Sequence, residues 1–267
     1  MTDVPYTHGH HESVLRSHRW RTAENSAGYL LARLQPGMSV LDVGCGPGTI
    51  TCDLARLVSP GPVTGVDASE EVVAEARATA AEVGSANVAF EVGSAFGLRF
   101  DEGSFDVVHA HQVLQHVGDP VAALTEMRRV CRRDGVVAVR DSDYPAMRYF
   151  PDDPELDRAL AAYGALTRAN GANWDAGRRL LHWALQVGFA SVVPSASTWC
   201  FATPEDRAWW GGLWADRFTR SSLAEQLVTG GIATDDDLVA FAGAWRRWAS
   251  SPDGWFAVLH GEVVCTV

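Results

Sequence analysis

The chain has no apolar run long enough to cross a bilayer, so no membrane partner is expected. Its opening residues, MTDVPYTHGHHESVLRSHRWR, lack the apolar core of a secretory leader, and the expected location is the cytoplasm. It also lacks any C-x-x-C pair. The five cysteines, Cys45, Cys52, Cys131, Cys200 and Cys265, are scattered and odd in number, which suits free thiols better than a disulfide frame or a zinc site. Positive charge is scarce: 22 basic residues stand against 33 acidic ones, giving a formal net charge of −11. Such a surface repels phosphate backbones, so no nucleic-acid partner is expected. The one dense basic stretch, MRRVCRRDG, reads as a helix C-terminus where cations offset the macrodipole. There is no internal repeat, no low-complexity tract and no evident linker, so residues 1–267 read as a single domain.

What the chain does have is a regular alternation. Residues 12–34 read as helix, with a polar first half and an apolar finish. SVLDVG, VTGVDAS, NVAFEVGSA, SFDVVHAH and GVVAVRDSD are short buried strands, separated by the amphipathic stretches TITCDLARLV, EEVVAEARATAAEVG and DPVAALTEMRRVCRRDG. Strands alternating with helices in this way imply βαβ crossovers and a parallel sheet covered on both faces. After residue 144 the rhythm changes: 153–169 and 175–188 read as helix, SVVPSASTWCFAT as strand, 204–250 as a tryptophan-rich helical insertion, and the last residues as strand.

The most informative stretch is VLDVGCGPGTIT, residues 40–51, where an apolar strand runs into Gly44, Gly46 and Gly48. Glycines in that density mark a loop whose main chain is approached closely by something else. A second strand ends in an acid, Asp67, spaced to accept hydrogen bonds from two ribose hydroxyls, so the pattern is that of a nucleoside-cofactor site. The rival is the dinucleotide fingerprint G-x-G-x-x-G, but the spacing here is G-x-G-x-G, with Asp42 just before it. A carboxylate there opposes a pyrophosphate and suits a cationic aminoacyl tail.

LDVGCGPGTIT, GVDAS, FDVVHAHQVLQHVGDP and MRRVCRRDGVVAV resemble, in order and spacing, the successive motifs of class I S-adenosylmethionine-dependent methyltransferases, particularly the ubiquinone and menaquinone biosynthesis branch. The likeness covers about residues 20–145. It implies an α/β fold: a Rossmann-like, doubly wound, mostly parallel seven-stranded sheet, with a helical cap inserted between the last strands. N-terminal lid helices (1–34), a cofactor-binding core (35–144) and cap elements (145–175 and 204–250) would follow from it. The implied cofactor is S-adenosyl-L-methionine, with S-adenosyl-L-homocysteine as product. Its implied contacts are Asp42, Gly44, Gly46 and Gly48; Asp67, Ala68 and Ser69 at the ribose; Ser94, Ala95 and Phe96 at the adenine; and His109 and His111 at the methionine end. Ser94 stands where many relatives carry an aspartate, which weakens the adenine contact and gives Phe96 a larger share through packing.

The implied reaction is in-line methyl transfer to O, N or C of a small, largely apolar molecule, by a monomer or homodimer. Such chemistry needs alignment and, for some nucleophiles, a base. The candidates for catalysis are His111, His11 and Asp143, with His116 read as structural and Asp141 and Tyr144 leaving the fifth strand beside Asp143. If the N-terminus forms a lid, Tyr6, His8 and His11 would line the chamber, and Arg21 and Asn25 would clamp the cofactor. Tyr6, His8, Tyr144, Trp174, Trp210 and Trp214 are the substrate-contact candidates, aromatic walls being usual in small-molecule sites. The histidines at 8, 10, 11 and 18 lack a carboxylate cluster beyond Glu12, so no metal is expected. Two alternatives stand beside methyl transfer: use of the bound sulfonium for a rearrangement or cyclisation, and a non-catalytic binding module.

Overall fold

The computed structural model describes residues 17–267. Five apolar runs form parallel strands: β1 (Val40–Val43), β2 (Val63–Asp67), β3 (Val88–Val92), β4 (Phe105–His111) and β5 (Cys131–Ser142). All four residues of β1 and most of β4 are buried, as continuous apolar runs must be when helices cover both sheet faces. The order is β3-β2-β1-β4-β5, and beyond β5 the sheet turns antiparallel through β8 (Trp255–Thr266), which pairs with β7 (Ser191–Phe201) and with the short β6 (Arg148–Phe150). Among the described residues the sheet therefore has eight strands, one more than expected. The extra strand, β6, is three residues long, too short to leave a period-2 signal in the sequence.

The helices α1 (Ala23–Leu31), α2 (Thr49–Val58), α3 (Glu70–Val83), α4 (Pro120–Val130) and α6 (Ala176–Val187) accompany the sheet. Their ends follow local chemistry. Ser69 caps α3 by accepting from the Val72 N–H, and Gly84 closes it in the left-handed conformation at φ 67°. Asp119 and Pro120 open α4 in the same manner. The expected helix over 12–34 is interrupted within its described part. Thr22 and Asn25 form a reciprocal capping box that starts α1 afresh at Ala23. The segment just before it, residues 17–22, forms a strap across the carboxyl ends of the strands.

The cap consists of α5 (Pro154–Ala169), α7 (Pro204–Arg220), α8 (Ser222–Thr229) and α9 (Asp235–Ser250). It has its own aromatic core, distinct from the sheet's. Trp214 stacks on Trp245 with centroids 5.3 Å apart, and Trp210 stacks on Phe201 at 4.2 Å. Ring pairs of this kind add to area burial and fix the relative position of α7, α9 and β7. Through Trp210 and Arg217 the cap reaches the carboxyl ends of the neighbouring strands β1 and β4.

Candidate active site

A cavity of about 420 Å³ opens at the carboxyl ends of β1 and β4, where the strand order reverses. This is the place where open α/β sheets bind ligands. One wall is the glycine loop. Gly44, Gly46 and Gly48 have φ of 69°, 56° and 80°, values that L side chains rarely adopt. The N–H groups of Gly44 and Cys45 both reach the Val66 carbonyl, which fastens the loop to β2. Asp67 closes the tie: its carboxylate accepts from the Gly46 N–H and the Ser69 N–H, each at 3.1 Å. Asp67 itself lines the cavity.

Asp42 lies deeper. Its Oδ1 sits 2.8 Å from His109 Nδ1, and its Oδ2 accepts from Thr51 Oγ1 at 2.6 Å. Asp42, Gly44, Gly46, Asp67, Ala68, Ser69, Ser94, Ala95, Phe96, Arg21 and His111 all line the same cavity. Gly48 does not. It packs against Phe90 and Ala76 behind the loop. His109 is fully buried beneath the site and reaches it only through Asp42. Asn25 also stands outside: it caps α1, and its carbonyl accepts from Trp199 Nε1 at 2.7 Å. The Ser94 hydroxyl is turned to its own loop, where it accepts from the Phe96 N–H.

At the opposite end of the cavity stand His111, Gln112, Ser142, Tyr144, Trp199, Trp210, Arg217 and Val258. Of the remaining candidates, Asp143 is held by Arg178 through two hydrogen bonds, at 2.5 and 2.7 Å, away from the cavity. Trp174 packs on Gly164 and beneath Arg168, in a separate surface groove that shares only Tyr144 with the main cavity. Trp214 is buried in the cap core. Tyr6, His8 and His11 lie outside the described residues.

Gln112, Ser142, Trp199 and His260 did not stand out in the sequence, and they form the polar heart of this end. Gln112 adopts φ 54°, unusual for a non-glycine residue and a mark of a constrained strand tip. Its Nε2 donates to Ser142 Oγ at 2.5 Å and faces His260 Nε2 at 3.0 Å, while its Oε1 accepts from Arg21. Trp199 is bracketed by guanidinium groups, Arg140 at 5.0 Å and Arg21 at 5.6 Å from its ring. The signal available for Gln112 was a glutamine interrupting an apolar run at a strand end.

Three imidazoles here are held neutral. Burial pushes His111 well below the usual histidine range, with Arg21 and Arg140 adding to the effect. Burial does the same to His260, helped by Arg140, and brings His116 down to about 3. Asp141, fully buried under the Leu114–His116 turn, is pushed up to about 7 by burial, against the hydrogen bond from the Gln115 N–H. Among the described residues, no group of three or more His, Cys, Asp or Glu is placed to hold a metal ion.

Residues 34–188 match a family model described as a methyltransferase domain. The chain belongs to the S-adenosylmethionine-dependent methyltransferases. An uncharacterized methyltransferase of Schizosaccharomyces pombe is 35% identical over 97% of this chain and 95% of its own length. The demethylmenaquinone methyltransferase of Lactococcus lactis is 36% identical over 45% of this chain and 48% of its own. The crystal structure of YcgJ from Bacillus subtilis superposes with a TM-score of 0.59 at 21% identity, covering 91% of this chain and 98% of that one. That last likeness concerns the fold alone. The glycine loop and the Asp67 tip lie within the matched residues, on a Rossmann-like sheet. No helix among the described residues of the methyltransferase is long and apolar enough to cross a membrane.

Proposed function

We propose that the protein transfers a methyl group from S-adenosyl-L-methionine to O, N or C of a small, largely apolar molecule. The observation that carries this reading is the continuity of one cavity, from the Asp67 carboxylate and the bare main chain of Gly44 and Gly46 to the aromatic wall of Tyr144, Trp199 and Trp210. The residues present fit the cofactor. Among the described residues a Cβ at Gly46 would meet nothing nearer than His18 Nδ1 at 4.0 Å, which leaves space over the loop for a ligand. Asp67 would take the ribose hydroxyls, Ser94 to Phe96 the adenine edge, and Asp42 the ammonium. When bound, the cofactor supplies an electrophilic methyl group on a sulfonium.

The chain's own part is alignment and exclusion of water. Asp42 is fixed by His109 and Thr51, so it cannot swing away from its ligand. The strap closes the cavity through Arg21 on Gln112 and through Ser17, which accepts from Arg217 of the cap at 2.9 Å. Tyr144, Trp199, Trp210 and Val258 support a flat, apolar acceptor. The five unpaired cysteines support a reducing, cytoplasmic setting.

Calorimetric titration with S-adenosyl-L-homocysteine tests the reading. Asp67→Ala is expected to weaken binding roughly a hundredfold or more, because two charge-assisted hydrogen bonds are lost, while its circular dichroism stays native. Binding unchanged in that variant would overturn the assignment. Mass spectrometry of products then separates methyl transfer, with a gain of one methylene, from a rearrangement with none.

A further inference from the structure

We propose that His111 accepts a proton from the methyl acceptor, and that the acceptor is a flat ring carrying an ionisable O–H group. The inference rests on the cofactor reading above and assigns the other half of the same cavity.

Several groups in and around the cavity could hold a proton. His109 is committed to Asp42. The ring of His116 faces Gln115 Nε2 at 3.0 Å. His260 is held on both sides, by Ser142 and Gln112 at Nε2 and by the Val258 carbonyl at Nδ1. Asp143 is engaged by Arg178. Asp141 accepts from the Gln115 N–H and does not line the cavity. His111 differs from all of these. It lines the cavity, it is only 4% exposed, and among the described residues neither ring nitrogen has a hydrogen-bond partner. A buried polar group left unsatisfied costs free energy that a protic ligand removes.

The surroundings select the kind of ligand. Arg21 from the strap, Arg140 from β5, His260 from β8 and His109 from β4 all disfavour positive charge at His111. The imidazole is therefore a neutral acceptor, and an ammonium group beside it is disfavoured for the same reason. A phenolic or enolic O–H meets both conditions. The ring of Trp199, 5.5 Å from that of His111, together with Trp210 and Tyr144, gives a planar body apolar surfaces to lie against.

In the step, a lone pair of the acceptor oxygen forms the new O–C bond. The C–S bond breaks with its electron pair kept by sulfur, and the O–H proton passes to a ring nitrogen of His111. Positive charge thus moves from sulfur to imidazole, and total charge is conserved. The weakened basicity of His111 is sufficient, because an oxygen being methylated becomes a far stronger acid than an imidazolium.

The test uses wild type, His111→Phe and His111→Gln with two probes, 2-naphthol and 4-nitrophenol, at slightly alkaline pH. Naphthol keeps its proton there; nitrophenol has already lost it. With naphthol, both variants should transfer methyl roughly a hundredfold more slowly than wild type, the usual worth of a positioned base. With nitrophenol the deficit should fall below about fivefold, since no proton remains to be taken. Equal deficits with the two phenols would overturn the proposal, because a structural role does not depend on the acceptor's ionisation. So would wild type that methylates other compounds but neither phenol. Failure of wild type to bind S-adenosyl-L-homocysteine would instead overturn the cofactor reading.

Discussion

The three glycines of the loop are expected to fail in three different ways when each becomes alanine. All have positive φ, so each alanine carries roughly 1–2 kcal/mol of left-handed strain. Gly46→Ala should cost little more than that in stability, because the nearest atom of the described residues to the new methyl is His18 Nδ1 at 4.0 Å. The methyl instead occupies ligand space. An extra methyl in a packed contact costs roughly 1–3 kcal/mol, or about 5- to 150-fold in Kd for S-adenosyl-L-homocysteine. Gly48→Ala should do the reverse. Its Cβ would come within 2.9 Å of Phe90 Cζ and 3.1 Å of Ala76, in the small core behind the loop. Strain and overpacking together give roughly 2–5 kcal/mol of lost stability, with affinity within about twofold once the protein is folded. Gly44→Ala combines both penalties, since its Cβ would overlap a Val113 methyl at the cavity wall. Urea unfolding and calorimetric titration of the three variants separate the two effects. Wild-type affinity in Gly46→Ala, or lost affinity without lost stability in Gly48→Ala, would refute this account of the loop.

Two further outcomes concern the buried charges below the cavity. Asp141 has a folded-state pKa of about 7, above its ordinary 3.8. The folded state therefore binds this proton more tightly, and the stability it contributes is complete below about pH 4 and lost as pH rises toward 7, a change of about 4 kcal/mol. Asp141→Asn carries no such titration, so its stability relative to wild type should climb between pH 5 and 7.5 in urea melts; a constant difference would contradict this. Glu262 is the partner of Arg140, itself 1% exposed, and also accepts from Ser195 and Ser197. Glu262→Gln leaves a buried guanidinium without its counter-charge and should cost roughly 3–5 kcal/mol, with a loss under about 1 kcal/mol speaking against the pair.

How much of this could be read from the sequence depended on whether the chemistry was written in consecutive residues. The glycine loop and Asp67 were legible because a strand, a bare turn and an acid at the next strand tip lie within 28 residues, from Val40 to Asp67. The restart of α1 was also written locally, in Thr22 and Asn25, though the longer periodicity masked it. Depth and phase were not legible. His109 and His111 lie two apart on β4 and share a face, but β1 ends at Val43, opposite Ala110. His109 is therefore walled in beside Asp42, while His111 emerges past the sheet edge. Alternation explains Asp143 as well: Ser142 faces the cavity, so its neighbour faces α6 and Arg178.

The acceptor end was the least legible because it is assembled from the most distant pieces. Gln112 meets His260 across 148 residues of sequence, and Trp199 is fixed by the carbonyl of Asn25 across 174. Each pairing depends on β8 returning antiparallel beside β5, with β7 alongside it, a topology that no local pattern states. The identity of the proton acceptor depends on it in turn. Of the three histidines between residues 109 and 116, sequence put His111 forward for catalysis, His109 for the cofactor and His116 as structural, without showing the partner of any of them. What separates them is which imidazole the folded chain has already satisfied: Asp42 claims one and Gln115 another. The ring that no other described residue satisfies is the one with a hydrogen-bonding capacity to offer a substrate.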